Sequence, residues 1–213
     1  MLRATPRKPD KPVFWIVAGP NGSGKSSLYN NTDIEGWGGS VWIINPDLLT
    51  AKIVEQEQLA LDAANLAAVE RIEQWLEASI NAYQTIGVET VLSSPKYRRL
   101  VANARERGFR TRMIYVVLRS AELQLSRIRQ RVSDGGHDVP EEKVRSRRAR
   151  SFEELTWFFK EVDECLVYDN STGEPSLLVE KMGGAAFVWE SMPKDLEAAF
   201  ESGGIYLFKP SIS

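Results

Sequence analysis

Apolar residues stand together in Val13-Phe14-Trp15-Ile16-Val17-Ala18 and stop at Gly19. A run of that length with no polar face predicts a strand buried on both sides. A shorter run, Val41-Trp42-Ile43-Ile44, ends in Asn45-Pro46-Asp47, where Pro46 stops the strand and Asp47 starts a helix. From about residue 60 to 85, Leu61, Ala64, Ala68, Ile72, Trp75 and Tyr83, interrupted by the polar Ser79, keep near-helical spacing and predict a helix packed on the sheet. Val88-Glu89-Thr90-Val91-Leu92 reads as a third strand, leading through Ser93-Ser94-Pro95 into another helix, and Arg112 to Leu118 reads as a fourth, fully buried strand. Strands alternating with helices predict a mainly parallel sheet covered on both faces, with ligands at the carboxyl ends of the strands.

Past Leu118 the pattern becomes more charged. It predicts a helix over about 121–132, a break at Gly135-Gly136, a second helix opening at Pro140 with Glu141-Glu142 near its positive end, and a further helix through Trp157 and Phe158. Leu166-Val167-Tyr168 enters a turn over 169–173. Leu177-Leu178-Val179 and Phe187-Val188-Trp189 read as strands, and the last helix begins near Pro193. Residues 1–12, rich in Pro and basic side chains, read as a flexible arm, and Gly36-Trp37-Gly38-Gly39 as a surface stretch. The expected organisation is one domain over 13–213 with a charged hairpin at about 121–151.

The 213 residues, 43% hydrophobic, suffice for one substantial core. No stretch is apolar enough to span a bilayer and the N-terminus lacks the apolar centre of a signal peptide, so a cytoplasmic protein without membrane contact is expected. Cys165 is the single cysteine, set in Cys165-Leu166-Val167, which predicts a core role and excludes a multi-cysteine metal site. The formal charge of −2 is unevenly spread. Between Arg127 and Arg150 eight basic residues face four acidic ones, so that segment is net +4 and the remainder −6. This is a local anion site rather than the footprint of a chain-wide nucleic-acid binder, and nucleic acid is disfavoured as a partner.

Directly after the first strand, Gly19-Pro20-Asn21-Gly22-Ser23-Gly24-Lys25-Ser26 matches the P-loop pattern G-x-x-x-x-G-K-[ST] in full, in the strand-before, helix-after context that the motif needs. Gly22 and Gly24 permit close approach of phosphate, Lys25 can reach the β- and γ-phosphates, the Ser26 hydroxyl can ligate Mg²⁺, and Ser27 completes the nucleotide-contacting set. The expected fold class is therefore a P-loop NTPase, a three-layer α/β/α with a mainly parallel sheet and a helical, arginine-rich lid. P-loops serve many chemistries, and other features must choose among them. The strand ending at Leu118 lacks the terminal Asp of a Walker B strand, and no Asn-Lys-x-Asp sequence is present to read guanine, so motors and GTP switches lose weight. A small kinase remains, needing positioned phosphates, offset charge and a carboxylate at the acceptor hydroxyl.

Asp47 is the leading candidate for that base, its alternative being an ordinary helix N-cap. Glu89, inside an apolar strand, is expected to face Mg²⁺, a basic residue or the acceptor, or else to form a structural ion pair. Arg127 and Arg131 are four apart on one helical face and Arg147 and Arg150 three apart on another, so each pair can converge on phosphate. Arg131 and Arg147 lead, while Arg129 and Arg145 are expected to be solvated. His137, in the turn after Gly136, is read as a structural hydrogen-bonding residue.

Six ordered blocks extend the picture: Ala18 to Ser26, Asn45-Pro46-Asp47, Glu89 to Ser93, Arg131 to Pro140, Arg147 to Ser151, and Tyr168-Asp169-Asn170-Ser171. Together they resemble the zeta toxin-like P-loop kinases. The resemblance implies ATP and Mg²⁺ as cofactors, the P-loop lysine and lid arginines on the phosphates, Asp47 as base, and Glu89, Thr90 and Ser93 toward a small hydroxyl-bearing substrate. Best-known zeta toxins phosphorylate the sugar of UDP-N-acetylglucosamine and are restrained by an antitoxin, which would be the protein partner. Two positions depart from the pattern: Val91 stands where relatives often carry a second Thr, and Glu154 where Asn is common. The competing readings are a toxin or regulatory nucleotide-binding module controlled by a partner, and a kinase acting on a nucleic-acid end or an antibiotic.

Overall fold

The computed structural model describes residues 11–31, 41–134 and 139–210. The N-terminal residues 1–10, the glycine-rich stretch at 36–39, the Gly135-Gly136 break, His137 and Asp138 lie outside the described residues. Seven strands form one sheet among them, in the order β2-β3-β1-β4-β5-β6-β7. These are β1 (Val13–Ala18), β2 (Ile43–Ile44), β3 (Ile86–Thr90), β4 (Arg110–Val117), β5 (Glu164–Asp169), β6 (Ser176–Met182) and β7 (Ala185–Val188). The first five in spatial order run parallel, and β6 and β7 add antiparallel. The helices are α1 (Lys25–Asn31), α2 (Pro46–Glu57), α3 (Leu61–Asn81), α4 (Arg98–Glu106), α5 (Ala121–Ser133), α6 (Glu141–Glu161) and α7 (Lys194–Ser202). This is the α/β architecture of a P-loop NTPase.

Strand β1 explains why its run shows no alternation. Phe14, Ile16 and Ala18 enter the larger core with α3, α4, α6 and α7, while Trp15 faces the other side with Leu28 of α1, Ile114 and Val116. Both faces are covered, so both parities must be apolar. With β3 on one flank and β4 on the other, β1 delivers the chain at Gly19 into the crevice at the carboxyl edge of the sheet.

Three elements differ from their sequence expectation. The buried stripe of α3 is Ala64, Ala68, Ile72, Leu76 and Ile80, while Leu61 and Trp75 are exposed and Tyr83 lies beyond the helix end. The small residues meet Ile53 of α2 and the large ones meet the sheet, so a four-residue step fits both neighbours. Secondly, the expected separate helices after Pro140 are one helix, α6, without Gly or Pro from end to end. Val144, Arg148, Ser151, Phe152, Leu155, Phe158 and Phe159 form one continuous buried stripe along it. Its first half packs on Leu125 and Ile128 of α5 and its second half enters the main core. Thirdly, Asp47 does not cap α2. Asn45 is the N-cap, its Oδ1 accepting from the backbone N–H of Asp47 and Leu48 at 2.9 and 3.3 Å, with Pro46 in the first turn.

Cys165 is wholly buried, and burial pushes its thiol pKa up to about 12. That suits a core residue. No described helix is long and apolar enough to cross a membrane.

Candidate active site

The loop after β1 has a backbone that only glycine accommodates at two points. Gly19 has φ +143° and a Cβ there would stand 2.1 Å from the Val116 carbonyl oxygen; Gly24 has φ +88° and its Cβ would stand 2.2 Å from Nδ2 of Asn170. The second contact belongs to a brace, for that same Nδ2 donates to the Ser23 carbonyl at 3.0 Å from the turn after β5. On the opposite side, Gly19 N–H donates to the Thr90 carbonyl at 3.2 Å. The loop is thus held from both neighbouring strands. Within it, Asn21 Oδ1 and Ser23 Oγ are buried with no hydrogen-bond partner among the described residues.

Lys25, 7% exposed, donates to the carbonyls of Gly19 and Pro20 at 2.9 and 3.2 Å. Burial pulls its pKa down, and the nearby carboxylates of Glu89 and Asp47 pull the other way. Glu89 is buried at the end of β3, where its Oε2 accepts from Ser26 Oγ at 2.8 Å and from Asn45 Nδ2 at 2.9 Å, and its Oε1 lies 4.0 Å from Lys25 Nζ. Of the expected roles for Glu89, the geometry bears on the basic residue. The carboxylate beside the P-loop serine comes from β3, and not from the chain at Leu118 just after β4, the other neighbour of β1.

A cavity of about 540 Å³ opens over this edge, and it gathers residues from across the chain. The P-loop contributes Asn21, Gly22, Gly24, Lys25, Ser26 and Ser27; the β2 and β3 ends contribute Asp47, Glu89, Thr90 and Ser93; and the α5–α6 hairpin contributes Arg127, Arg131 and Arg147. Gly19, Pro20 and Ser23 do not line it. The carbonyls of the first two hold Lys25. Thr90 lends its hydroxyl to the Leu92 N–H at 3.0 Å, which supports the turn where Leu92 takes φ +58°. Asp47 is exposed on the cavity wall.

The basic segment divides sharply. Arg127 donates to the carbonyls of Asn170 and Ser171 at 2.8 and 3.0 Å while lining the cavity. Arg129 and Arg145 pair with Glu141 at the surface, as expected of solvated residues. Arg150 is exposed and does not line the cavity, so it does not converge with Arg147. Arg148 is structural: 3% exposed, it stacks on Phe152 and donates to Asp195 at 2.6 Å and to the Leu118 carbonyl at 2.9 Å. One turn beyond Arg147, Ser151 donates to the Val91 carbonyl at 2.7 Å and lies 2.8 Å from the Tyr115 hydroxyl. These two anchors set the rotation of α6 that turns Arg147 to the cavity. Glu154, where the resemblance expects Asn, pairs with Arg98 at 2.9 Å and so ties α6 to α4. Val91 lines the cavity as an apolar wall.

Sequence reasoning missed two residues here. Asn170 was visible only as part of a resembling block, and Lys96, which lines the cavity, was passed over although it directly follows a strand-end Ser-Ser-Pro.

Comparison with known proteins agrees with this geometry. A protein of Haemophilus influenzae described as uncharacterized is 27% identical over 140 residues, covering 65% of this chain and 92% of its own length. Among solved structures, the AvrRxo1-ORF1:-ORF2 complex with ATP contains a chain that superposes with a TM-score of 0.64 at 17% identity, over 95% of this chain. This chain spans about two thirds of that one, 66%. A chain of the PezAT chromosomal toxin–antitoxin system of Streptococcus pneumoniae superposes with a TM-score of 0.59 at 10% identity, over 94% of this chain and 88% of that one. At such identities these likenesses establish a shared fold. The AAA_33 family model, described as an AAA domain, matches residues 14–155, the stretch that carries the P-loop, Asp47, Glu89 and the three cavity arginines, and the chain belongs to that family.

Proposed function

We propose that the protein is an ATP-dependent phosphotransferase of the zeta toxin-like kind, carrying the γ-phosphate to a hydroxyl of a small molecule, with nucleotide sugars heading the acceptor classes. One observation carries the reading: a single cavity joins a P-loop lysine and serine, three arginines, and a carboxylate that has no capping duty. Phosphoryl transfer depends on positioning and on offsetting charge, and these are the groups it uses. In this assignment the loop from Gly19 to Ser27 cradles the triphosphate, with the partnerless Asn21 Oδ1 and Ser23 Oγ in the same loop. Lys25, Arg131 and Arg147 offset the charge that spreads over the transferring group. Asp47 accepts the proton of the acceptor hydroxyl. The hydroxyl oxygen bonds to the γ-phosphorus as the bond to the bridging oxygen breaks, and ADP leaves with that electron pair.

Mg²⁺, when bound, would neutralise charge between the β- and γ-phosphates, and the Ser26 hydroxyl, with Glu89 beside it, suits a hard cation. Thr90 and Ser93 line the acceptor end. Residues 13–213 act as one kinase domain in this reading, with the hairpin of α5 and α6 as its lid. The AvrRxo1-ORF1:-ORF2 complex and the PezAT toxin–antitoxin system among the structural likenesses support a protein partner, an antitoxin in the second case.

The test is ADP release from labelled ATP that depends on added metabolite fractions, repeated with Asp47→Asn. The variant should keep ATP affinity and melting temperature, because Asn45 supplies the cap, and lose roughly 10²-fold or more in single-turnover rate. ADP release indifferent to every fraction would leave a nucleotide-controlled binding module instead, and a fully active Asp47→Asn would move the base to Glu89.

A further inference from the structure

The two sides of the cavity have different parentage. The hairpin that follows β4 brings Arg127, Arg131 and Arg147, whereas the segments that leave β2 and β3 bring Asp47, Ser93, Ser94 and Lys96. Since β3 and β4 flank β1 on opposite sides, Lys96 shares its side with Asp47 and not with the arginines. The cations around the P-loop are those a triphosphate would occupy. Lys96 is left over.

Its surroundings make that informative. Lys96 sits in the short 3₁₀ turn Pro95–Tyr97, anchored by Tyr97, which is 1% exposed. Its Nζ lies 4.6 Å from the centre of the Tyr97 ring, and partial burial holds its pKa below the ordinary lysine value. The one charge acting on it is the carboxylate of Glu73 on α3, through space, and among the described residues no hydrogen bond or ion pair engages the ammonium. A solvated surface lysine keeps its water, and a structural one finds a carboxylate or carbonyls, as Lys181 does at the end of α6. Lys96 does neither, lying against an aromatic face beside a cavity wall. A cation so placed gains most from an anion brought by a ligand.

We propose that Lys96 determines specificity at the acceptor end, and that the acceptor is an anionic hydroxyl compound whose phosphate or carboxylate group pairs with Lys96 while its hydroxyl lies at Asp47. The inference rests on the phosphotransfer reading above and narrows it to a substrate class. A neutral polyol would leave the ammonium unpaired in a partly desolvated place, and an anion relieves that cost. Pairing at a point remote from the reacting oxygen contributes to acceptor binding and orientation rather than to the charge of the transition state.

The experiment holds the P-loop with Mg²⁺ and a non-hydrolysable ATP analogue, and titrates four forms of one hexose: the free sugar, its phosphate, its uronate and its nucleoside-diphosphate derivative. At least one anionic form should bind while the free sugar does not, with Lys96→Gln weakening that binding by 10-fold or more and Lys96→Arg largely restoring it. The form that binds distinguishes phosphate from carboxylate. In turnover with ATP, Lys96→Gln should raise the acceptor KM while leaving the KM for ATP and the melting temperature unchanged. Equal binding of the neutral and anionic forms, no binding of any anionic form, or unchanged affinity in Lys96→Gln would each overturn the proposal. Turnover of the neutral sugar would sink the anionic class yet sustain phosphotransfer. Lys96-dependent anion binding with no acceptor-dependent ADP release would sustain the anion site and sink phosphotransfer.

Discussion

The proposed nucleotide end and the proposed acceptor end of the cavity are built in different ways. At the nucleotide end, consecutive residues from Gly19 to Ser26 do most of the work, and two glycine positions are closed to any side chain by the Val116 carbonyl and by Asn170. At the proposed acceptor end, Asp47 of α2, Val69 of α3, and Ser93 and Lys96 from the segment after β3 come from three separate stretches of chain, and an apolar residue, Val91, stands beside them. Tolerance to change follows from this. A loop whose backbone is fixed from both flanking strands can hold only one shape, whereas a wall assembled from the ends of β2 and β3 can exchange side chains without disturbing the sheet. On the proposed assignment, nucleotide binding depends on a loop fixed by the fold, and acceptor choice depends on a few replaceable residues.

The largest expected effect lies at the nucleotide end. Lys25→Ala removes a buried cation held between the Gly19 and Pro20 carbonyls and Glu89, and should lower single-turnover phosphotransfer by about 10³-fold while weakening ATP binding. Asp47→Asn, at the other end, should spare ATP binding. If Lys25→Ala left ATP affinity untouched, the two ends would not be chemically distinct and the comparison would fail.

The hairpin arginines sharpen the contrast. Arg131→Gln and Arg147→Gln should each slow transfer by roughly 10²-fold with little change in ATP affinity, since in the proposed mechanism they offset charge that develops in the transition state. Loss of ATP affinity with unchanged single-turnover chemistry would reassign them to ground-state binding.

Much of this was legible in the sequence, and the reasons differ by residue. The P-loop was readable because its chemistry is local in the chain. Arg147 and Arg148 are adjacent in sequence, yet one lines the cavity and the other is buried against Asp195. A helix turns about 100° per residue, and Arg148 falls in the stripe Val144, Arg148, Ser151, Phe152, Leu155. That stripe was available to a reading that treated α6 as one helix. Glu89 was recognised as a costly carboxylate, but not which strand stands beside the P-loop serine, because strand order is not written in local pattern. Asn170, braced to Ser23 from 147 residues away, left no local signal.

A smaller effect separates the two neighbouring arginines in stability rather than rate. Arg148→Met loses the bonds to Asp195 and the Leu118 carbonyl but keeps some packing on Phe152. Asp195 is half exposed and can return to water, so the expected cost is only about 2 kcal/mol, read as a fall in melting temperature of roughly 5 °C. Arg147→Gln should leave the melting temperature alone. Equal melting temperatures for both variants would remove the distinction.

The smallest effect tests the joint between the two ends, Asn45. Its Oδ1 caps α2, the helix that carries Asp47, and its Nδ2 donates to the same Glu89 oxygen that accepts from Ser26. Asn45→Ala removes both the cap and the bond to Glu89 and should cost about 1 kcal/mol of stability, the usual price of a lost cap. Asn45→Ser keeps a capping oxygen but cannot supply the amide to Glu89, so it should melt near the wild type. If Glu89 is held in place by that amide, both variants should lose a similar few-fold in phosphotransfer, despite their different stabilities. If instead the rate follows the melting temperature, with Asn45→Ser fully active, then Asn45 serves only α2, and Ser26 and Lys25 are enough to hold Glu89 at the P-loop.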